Sequence, residues 1–270
     1  MNEPVFVMSS GRSGTFQLAN LLKSSGEVDV EHERLFEPLL SVGVESYSGI
    51  NFSNRYEDVL AEYTDSVNRS LASSWVDISN ALPWVASDLH ARFPRAKFIN
   101  LVRDGRKVVL SFYNKFQTDM YASECVNALQ GYIDGILARP PEEKKYWRPL
   151  PPKGYAEQFS ADVRFVNLCW YWRELTAVSD AFMSTLNPTM GVTIRFEDLI
   201  ASQTSIKEFV EFIGIDPSTV DMNILKKPQN VAVPKNFEFK DAQLEVFDEI
   251  CGAQQKKFGY DSREIYRVKY

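Results

Sequence analysis

The stretch Val5-Phe6-Val7-Met8-Ser9-Ser10-Gly11-Arg12-Ser13-Gly14-Thr15-Phe16 decides the fold. Val5 to Met8 is a short apolar run with two β-branched residues, suited to a strand. Small residues interrupt it. From Phe16 to Lys23, Leu18, Leu21 and Leu22 recur at helical spacing, and Gly26 supplies a stop. Strand, small-residue loop and helix in that order make an anion cradle. Backbone N–H groups can close around a phosphate only where side chains are small, and the partial positive charge of a helix N-terminus favours the anion behind them. Gly11 and Gly14 provide the room, Ser13 and Thr15 the hydroxyl donors, Arg12 a fixed positive charge, and Phe16 opens the helix. A plain Gly/Ser turn is the competing reading. The loop that holds nucleoside triphosphates requires lysine directly after its second glycine. Here Thr15 follows Gly14, which argues against an ATPase.

Outward from this unit, strands and helices alternate. Val28-Asp29-Val30 reads as a second strand with His32 and Glu33 just past its end, and the strand is expected to lie beside the first. Residues 41–74 are polar and mixed, helical from Arg55 to Ser70. Trp75 to Ile78 reads as a strand and Val85 to Arg92 as a helix broken by Pro94. Ala96 to Val102 is an apolar run suited to the middle of a parallel sheet, and Asp104 is a good N-cap for a helix from Gly105 to about Phe116. Residues 139–160 carry Pro140, Pro141, Pro149, Pro151 and Pro152, which rule out a regular helix and mark an irregular insertion: a lid, a substrate-facing loop or a linker. A long helix from Val163 to Leu186, a strand from Val192 to Phe196, a helix from Ile206 to Ile213, a basic loop from Lys226 to Phe239 and a last helix from Ala242 to Phe258 complete the chain. The alternation predicts an α/β fold, a parallel sheet with helices on both faces.

Bulk composition narrows the function. The chain has 270 residues and a net charge of −6, against the basic excess of a nucleic-acid binder. Local basic clusters in such a protein point to a small anionic ligand. Cys125, Cys169 and Cys251 are odd in number and widely spaced, and only His32 and His90 are available, so reduced cytoplasmic thiols and no metal site are expected. Neither a signal peptide nor an apolar stretch long enough to span a membrane is found.

A second anion element lies at Arg103-Asp104-Gly105-Arg106-Lys107-Val108-Val109-Leu110-Ser111. Arg103 ends the clearest strand, where open α/β sheets bind ligands, and Ser111 follows about two helical turns later. An arginine fork and a hydroxyl suit a second phosphate group. An Arg103–Asp104 surface pair and a buried Ser111 are the plainer alternatives.

Taken together, these motifs resemble the sulfotransferase family that uses 3′-phosphoadenosine 5′-phosphosulfate (PAPS). Arg12-Ser13-Gly14-Thr15 is similar to that family's [KR]SGT loop for the 5′-phosphosulfate. Arg103 and Ser111, after Phe93-Pro94-Arg95-Ala96-Lys97-Phe98-Ile99-Asn100-Leu101-Val102, are similar to its 3′-phosphate unit. Ile194-Arg195-Phe196-Glu197-Asp198-Leu199 is similar to its third stretch. The three occur in order over nearly the whole chain. The resemblance implies a single sulfotransferase domain over residues 1–270 with a P-loop-NTPase-like fold. It also implies transfer of a sulfuryl group from PAPS to a hydroxyl or amine of a small-molecule acceptor, with adenosine 3′,5′-bisphosphate as product and no metal. A degenerate-loop kinase and a non-catalytic nucleotide-binding protein are the alternatives. A monomer or homodimer is expected.

Arg12 stands where the family often has lysine, so it is expected to stabilise the leaving phosphate by charge rather than donate a proton. His32 is the first choice of base, since its ordinary pKa suits proton abstraction near neutrality. Relatives with this loop often carry His-Glu here, but Arg34-Leu35-Phe36-Glu37-Pro38 departs from their His-Glu-Pro, so Glu33 and Glu37 are also candidates. Asp77 is weaker, and His90 has no assigned role. Phe196 stands where many relatives have tyrosine near the adenine. Lys235 lies where the family folds a segment over the 3′-phosphate, although the family's glycine-rich pattern is absent. Tyr146, Trp147 and Tyr155 of the insertion are read as a partly aromatic acceptor wall, and one of Trp170 and Trp172 as core.

Overall fold

Five strands, β1 (Glu3–Ser9), β2 (Val28–His32), β3 (Ser74–Ser79), β4 (Lys97–Val102) and β5 (Gly191–Arg195), form one parallel sheet in the order β2-β3-β1-β4-β5. The computed structural model describes residues 3–50, 53–70, 72, 74–116, 118–139, 141, 146–226 and 239–260. The architecture is the expected α/β one, a parallel sheet with helices packed on both faces.

Alternation along the strands divides the core. Val5 and Val7 of β1, Val76 and Ile78 of β3, and Ile99 and Leu101 of β4 meet one apolar layer. That layer is completed by α1 (Thr15–Lys23), α8 (Phe196–Ala201) and α9 (Gln203–Ile213). Phe6, Met8, Trp75 and Phe98 point to the opposite, larger layer. There lie α2 (Phe36–Tyr47), α3 (Ser53–Asn68), α4 (Ala86–Arg92), α5 (Gly105–Lys115), α6 (Ser123–Ile133), α7 (Val163–Met183) and α10 (Asp241–Lys257). Central strands buried on both faces are what a parallel sheet requires.

The structure corrects several expectations. β2 does not lie beside β1, because β3 is inserted between them. His32 is the last residue of β2 rather than a residue beyond it. α2 and α6 were not foreseen. Phe196 opens α8 instead of closing β5. Both Trp170 and Trp172 are core residues, wrapped in α7. In the insertion, Trp147 is buried against Tyr132 and under the Arg55 guanidinium, so it is a packing residue and not an open wall.

The β4–α5 junction is fixed by a buried ionic group. Asp104 caps α5 by accepting from the Arg106 backbone N–H at 3.0 Å. It also accepts from Arg106 Nε at 2.9 Å, Arg106 Nη2 at 2.7 Å and Gln255 Nε2 at 2.8 Å. It is therefore paired with Arg106 and not with Arg103. Gln255 Oε1 in turn accepts from the Gly105 N–H, which ties α10 to the start of α5. Removing one partner of a buried pair leaves the other charge uncompensated, at a cost of about 3–5 kcal/mol. Arg106→Leu is accordingly expected to lower stability by about 3 kcal/mol or more in denaturant unfolding. A loss under about 1 kcal/mol would show the pair to be dispensable.

Candidate active site at the carboxyl ends of β1 and β4

The chain runs from β1 out to β2, back to β3, then over β1 to β4. Adjacent strands β1 and β4 are therefore left by connections heading in opposite directions. In open α/β sheets this switch point is where a crevice forms. The loop Ser10–Gly14 leaves β1 there, and Arg103 leaves β4 beside it, with Ser9 and Leu101 in register.

The loop turns through left-handed backbone at Gly11 (φ 72°), Arg12 (φ 54°) and Gly14 (φ 81°). The Gly11 N–H is taken by Ser9 Oγ at 3.2 Å, and turns of this kind are suited to gathering neighbouring N–H groups around an anion. Arg12 holds this conformation with a side chain, which costs of order 1–3 kcal/mol and clusters at functional sites. At Gly14 the requirement is absolute. A Cβ there would fall within the Phe196 ring, so the loop and α8 can meet only at a glycine. Ser13 is fully buried, and its hydroxyl is engaged inside the loop, 2.8 Å from Ser10 Oγ and 3.1 Å from Gly11 O. Ser13 therefore shapes the cradle.

Around the loop the cations converge. Arg12 Nε donates to Ser111 Oγ at 2.8 Å, and Arg103 Nη1 donates to the Arg12 carbonyl at 2.7 Å. The motifs read as separate elements thus meet in one cluster. Arg103 lies over the Phe196 ring, 5.4 Å from its centroid, and faces Glu197 at 4.0 Å. Glu197 is itself held by Tyr260, whose hydroxyl donates at 2.7 Å, and by Lys107 at 3.6 Å. Burial and the Glu197 charge push the Tyr260 pKa up, so it remains a donor.

Two neighbours were missed by sequence reading. Lys115, one turn beyond Ser111 on α5, has its pKa lowered by burial and by the Arg12 charge, which places a further cation beside the loop. Its i,i+4 relation to Ser111 was the available signal. Asn80 follows β3, and its Nδ2 lies 2.6 Å from where a Gly11 Cβ would stand. Its Oδ1 is buried and meets no partner among the described residues. Position at the carboxyl end of a central strand could have marked it.

His32 reaches the loop across β3. Its Nε2 lies 3.1 Å from Thr15 Oγ1, the tautomer deciding which group donates, and its ring stands edge-on to exposed Phe16 at 6.1 Å. Burial lowers the His32 pKa below 6.5; Glu33 opposes this and Lys23 adds to it. Glu33 follows at φ 63°, its N–H donating to Ile78 O at 3.1 Å. Glu37 is exposed in the first turn of α2. Asp77 does not enter the site. It is fully buried, accepts from Tyr63 Oη at 2.7 Å and from the Arg34 N–H at 3.2 Å, and burial raises its pKa to about 7. Its role is to anchor the Glu33–Leu35 turn. His90 packs edge-on to Phe98 and Phe182, in the core. Lys235 and most of the basic loop around it lie outside the described residues. Among the described residues no cluster of metal-ligating side chains occurs, and no helix is long and apolar enough to cross a membrane.

The donors, cations and helix terminus suit a ligand with phosphate groups. Residues 2–258 match the family model described as the Sulfotransferase domain. No curated protein matches the sequence significantly. Among solved structures, a sulfotransferase from Alicyclobacillus acidocaldarius is similar at 13% identity, covering 100% of this chain and 98% of that one, with a TM-score of 0.52. A mouse sulfotransferase complexed with PAP aligns at 14% identity, covering 94% of this chain and 85% of that one, with a TM-score of 0.46. A sulfotransferase from Mycobacterium tuberculosis aligns at 12% identity, covering 96% and 77%, with a TM-score of 0.43. The likeness in fold rests on the first of these.

Proposed function

The chain belongs to the Sulfotransferase domain family, and on that premise we propose that it transfers a sulfuryl group from PAPS to a hydroxyl or amine of a small-molecule acceptor. The observation that carries the proposal is the cluster at the sheet's switch point. Arg12, Ser111 and Arg103 join the left-handed loop and the α1 N-terminus in one cationic cradle.

Each residue has a separable task. The loop and α1 offer backbone donors to the phosphosulfate end. Arg103, with Ser111, holds the 3′-phosphate, and Phe196 gives Arg103 an aromatic face on which to rest. Arg12, within the loop itself, stabilises charge that develops as the sulfur–oxygen bond breaks. His32, or a neighbouring glutamate, takes the acceptor's proton. Lys235 is retained as a further 3′-phosphate contact, and a cytoplasmic location fits three free cysteines that are all buried.

A kinase is the rival chemistry. Binding separates the two without any acceptor: the protein is expected to bind adenosine 3′,5′-bisphosphate tightly in the absence of magnesium. Arg103→Ala is expected to weaken that binding about 10- to 100-fold, the worth of a charge-assisted hydrogen bond, with little change in the unfolding midpoint. Stronger binding of magnesium ATP than of the bisphosphate would overturn the reading.

A further inference from the structure

The hydroxyls around the anion cradle are not equivalent. Ser10 and Ser13 turn to each other inside the loop, 2.8 Å apart. Thr15 Oγ1 instead meets His32 Nε2 at 3.1 Å, and Nδ1 of the same ring makes no hydrogen bond among the described residues. Both partners sit on fixed backbone. Thr15 is the first residue of α1, behind the left-handed cap at Gly14. His32 ends β2 in register with Ile78, and the Glu33 N–H donating to Ile78 O holds the strand end in place. Thr15 and His32 are each only partly buried, so neither residue is sealed off from a ligand.

This contact has a direction once an anion is bound. A hydroxyl carries one hydrogen and two lone pairs, whereas an ionised phosphate or sulfate oxygen only accepts. At the α1 N-terminus an anion is favoured, and the Thr15 hydrogen then goes to its oxygen. Thr15 can meet His32 only as an acceptor in that state. In a neutral imidazole the hydrogen bond made by one nitrogen decides which of the two carries the proton. The ring hydrogen therefore lies on Nε2 and the lone pair on Nδ1. The reverse arrangement gives the Thr15 hydrogen to His32 and aims Thr15 lone pairs at the oxyanion with no hydrogen between them. Burial, aided by Lys23 and opposed by Glu33, lowers the His32 pKa, so the ring is neutral near pH 7 and its tautomer matters there.

We infer that Thr15 is a positioning residue for the base: with a donor oxygen in the cradle, it fixes His32 in the Nε2–H form and makes Nδ1 the atom that takes the acceptor's proton. In the transfer step the acceptor's oxygen or nitrogen bonds to sulfur as its proton passes to Nδ1. The bond from sulfur to the phosphate oxygen breaks, and its electron pair leaves on the bisphosphate. The imidazolium keeps its Nε2–H on Thr15, one hydroxyl away from the anion. The base is thus set by the donor, before the acceptor arrives.

This inference rests on the sulfuryl-transfer reading, and its test reads the ring itself rather than turnover. The chain has two histidines, and His90, packed against Phe98 and Phe182, is an internal reference. Ring-nitrogen chemical shifts of histidine-labelled protein are recorded by NMR on the alkaline side of 6.5, without and with saturating adenosine 3′,5′-bisphosphate. His32→Gln assigns the signals. The free protein is expected to show both His32 tautomers, and the complex to favour Nε2–H by about tenfold or more, the worth of one hydrogen bond. Thr15→Ser should keep this shift and Thr15→Val should lose it. The parent spectra decide by themselves where Thr15→Val binds too weakly to saturate. A complex with its hydrogen on Nδ1, a tautomer ratio unchanged by bound bisphosphate, or the full shift in saturated Thr15→Val would each overturn the inference alone. Failure of the parent to bind the bisphosphate would sink it together with the reading beneath it.

Discussion

Arg12→Ala is expected to slow sulfuryl transfer by about 10²- to 10³-fold, the usual effect of removing one donor aimed at developing charge. The bond that breaks leaves a phosphate whose negative charge grows as the sulfuryl group departs. A cation fixed beside that oxygen lowers the barrier only if it is already in place. Arg12 is held in place three ways: by its own left-handed backbone at φ 54°, by its Nε donating to Ser111, and by its carbonyl receiving Arg103. The backbone strain is common to alanine and lysine, so a comparison of Arg12→Ala with Arg12→Lys isolates the charge. Lysine should recover a large part of the rate, as a point charge without the fork. The measurement is single-turnover transfer from saturating PAPS, with unfolding midpoints recorded for both variants. Transfer by Arg12→Ala within tenfold of the parent rate would remove Arg12 from the reacting centre.

What the sequence disclosed follows the range of the interactions involved. The β1 loop, β4 and the Asp104 cap are local: each is specified by residues within one turn or one strand, and each lies where it was read. Lateral strand order is not local. The insertion of β3 between β2 and β1 is set by pairings between strands far apart in the chain. α2 was hidden by Pro38 and Gly43, which lower helix propensity although tertiary burial of Leu39, Leu40, Val42 and Val44 outweighs it. The same applies to the bracing of the site. Gln255 reaches Asp104 and Tyr260 reaches Glu197 across long stretches of chain, and no spacing rule connects them.

These distant braces bear on how the site works. Arg103 is positioned by Glu197, and Glu197 by Tyr260, while Gln255 and Arg106 hold Asp104 at the foot of the same turn. Gln255 of α10 and Tyr260 just beyond it thereby brace the Arg103 side of the cluster through Asp104 and Glu197. The opposite side is held by Asp77, which fixes the turn after His32 from beneath the sheet's edge. A preorganised cradle loses less on binding than one that must order itself.

His32→Gln is expected to lower kcat by about 10²- to 10⁴-fold while leaving bisphosphate affinity nearly unchanged, the signature of a lost general base. The pH profile makes the assignment specific. Burial, aided by Lys23 and opposed by Glu33, lowers the His32 pKa from 6.5, so the neutral form is the resident one at pH 7. The rate should hold on acidification past 6.5 and fall only at the lower pKa, and the variant should lack that fall. Stability moves in the same direction. In the unfolded chain the imidazole takes up its proton near 6.5, before the folded protein does, so folded-state stability declines in the window between the two values. Unfolding midpoints across that window separate loss of fold from loss of base. If His32→Gln stays nearly as active and the acid limb lies in the carboxylate range, the base is a glutamate. Glu33→Gln is then the decisive variant, since Glu33 adjoins His32 and acts on it, whereas Glu37 is exposed on α2.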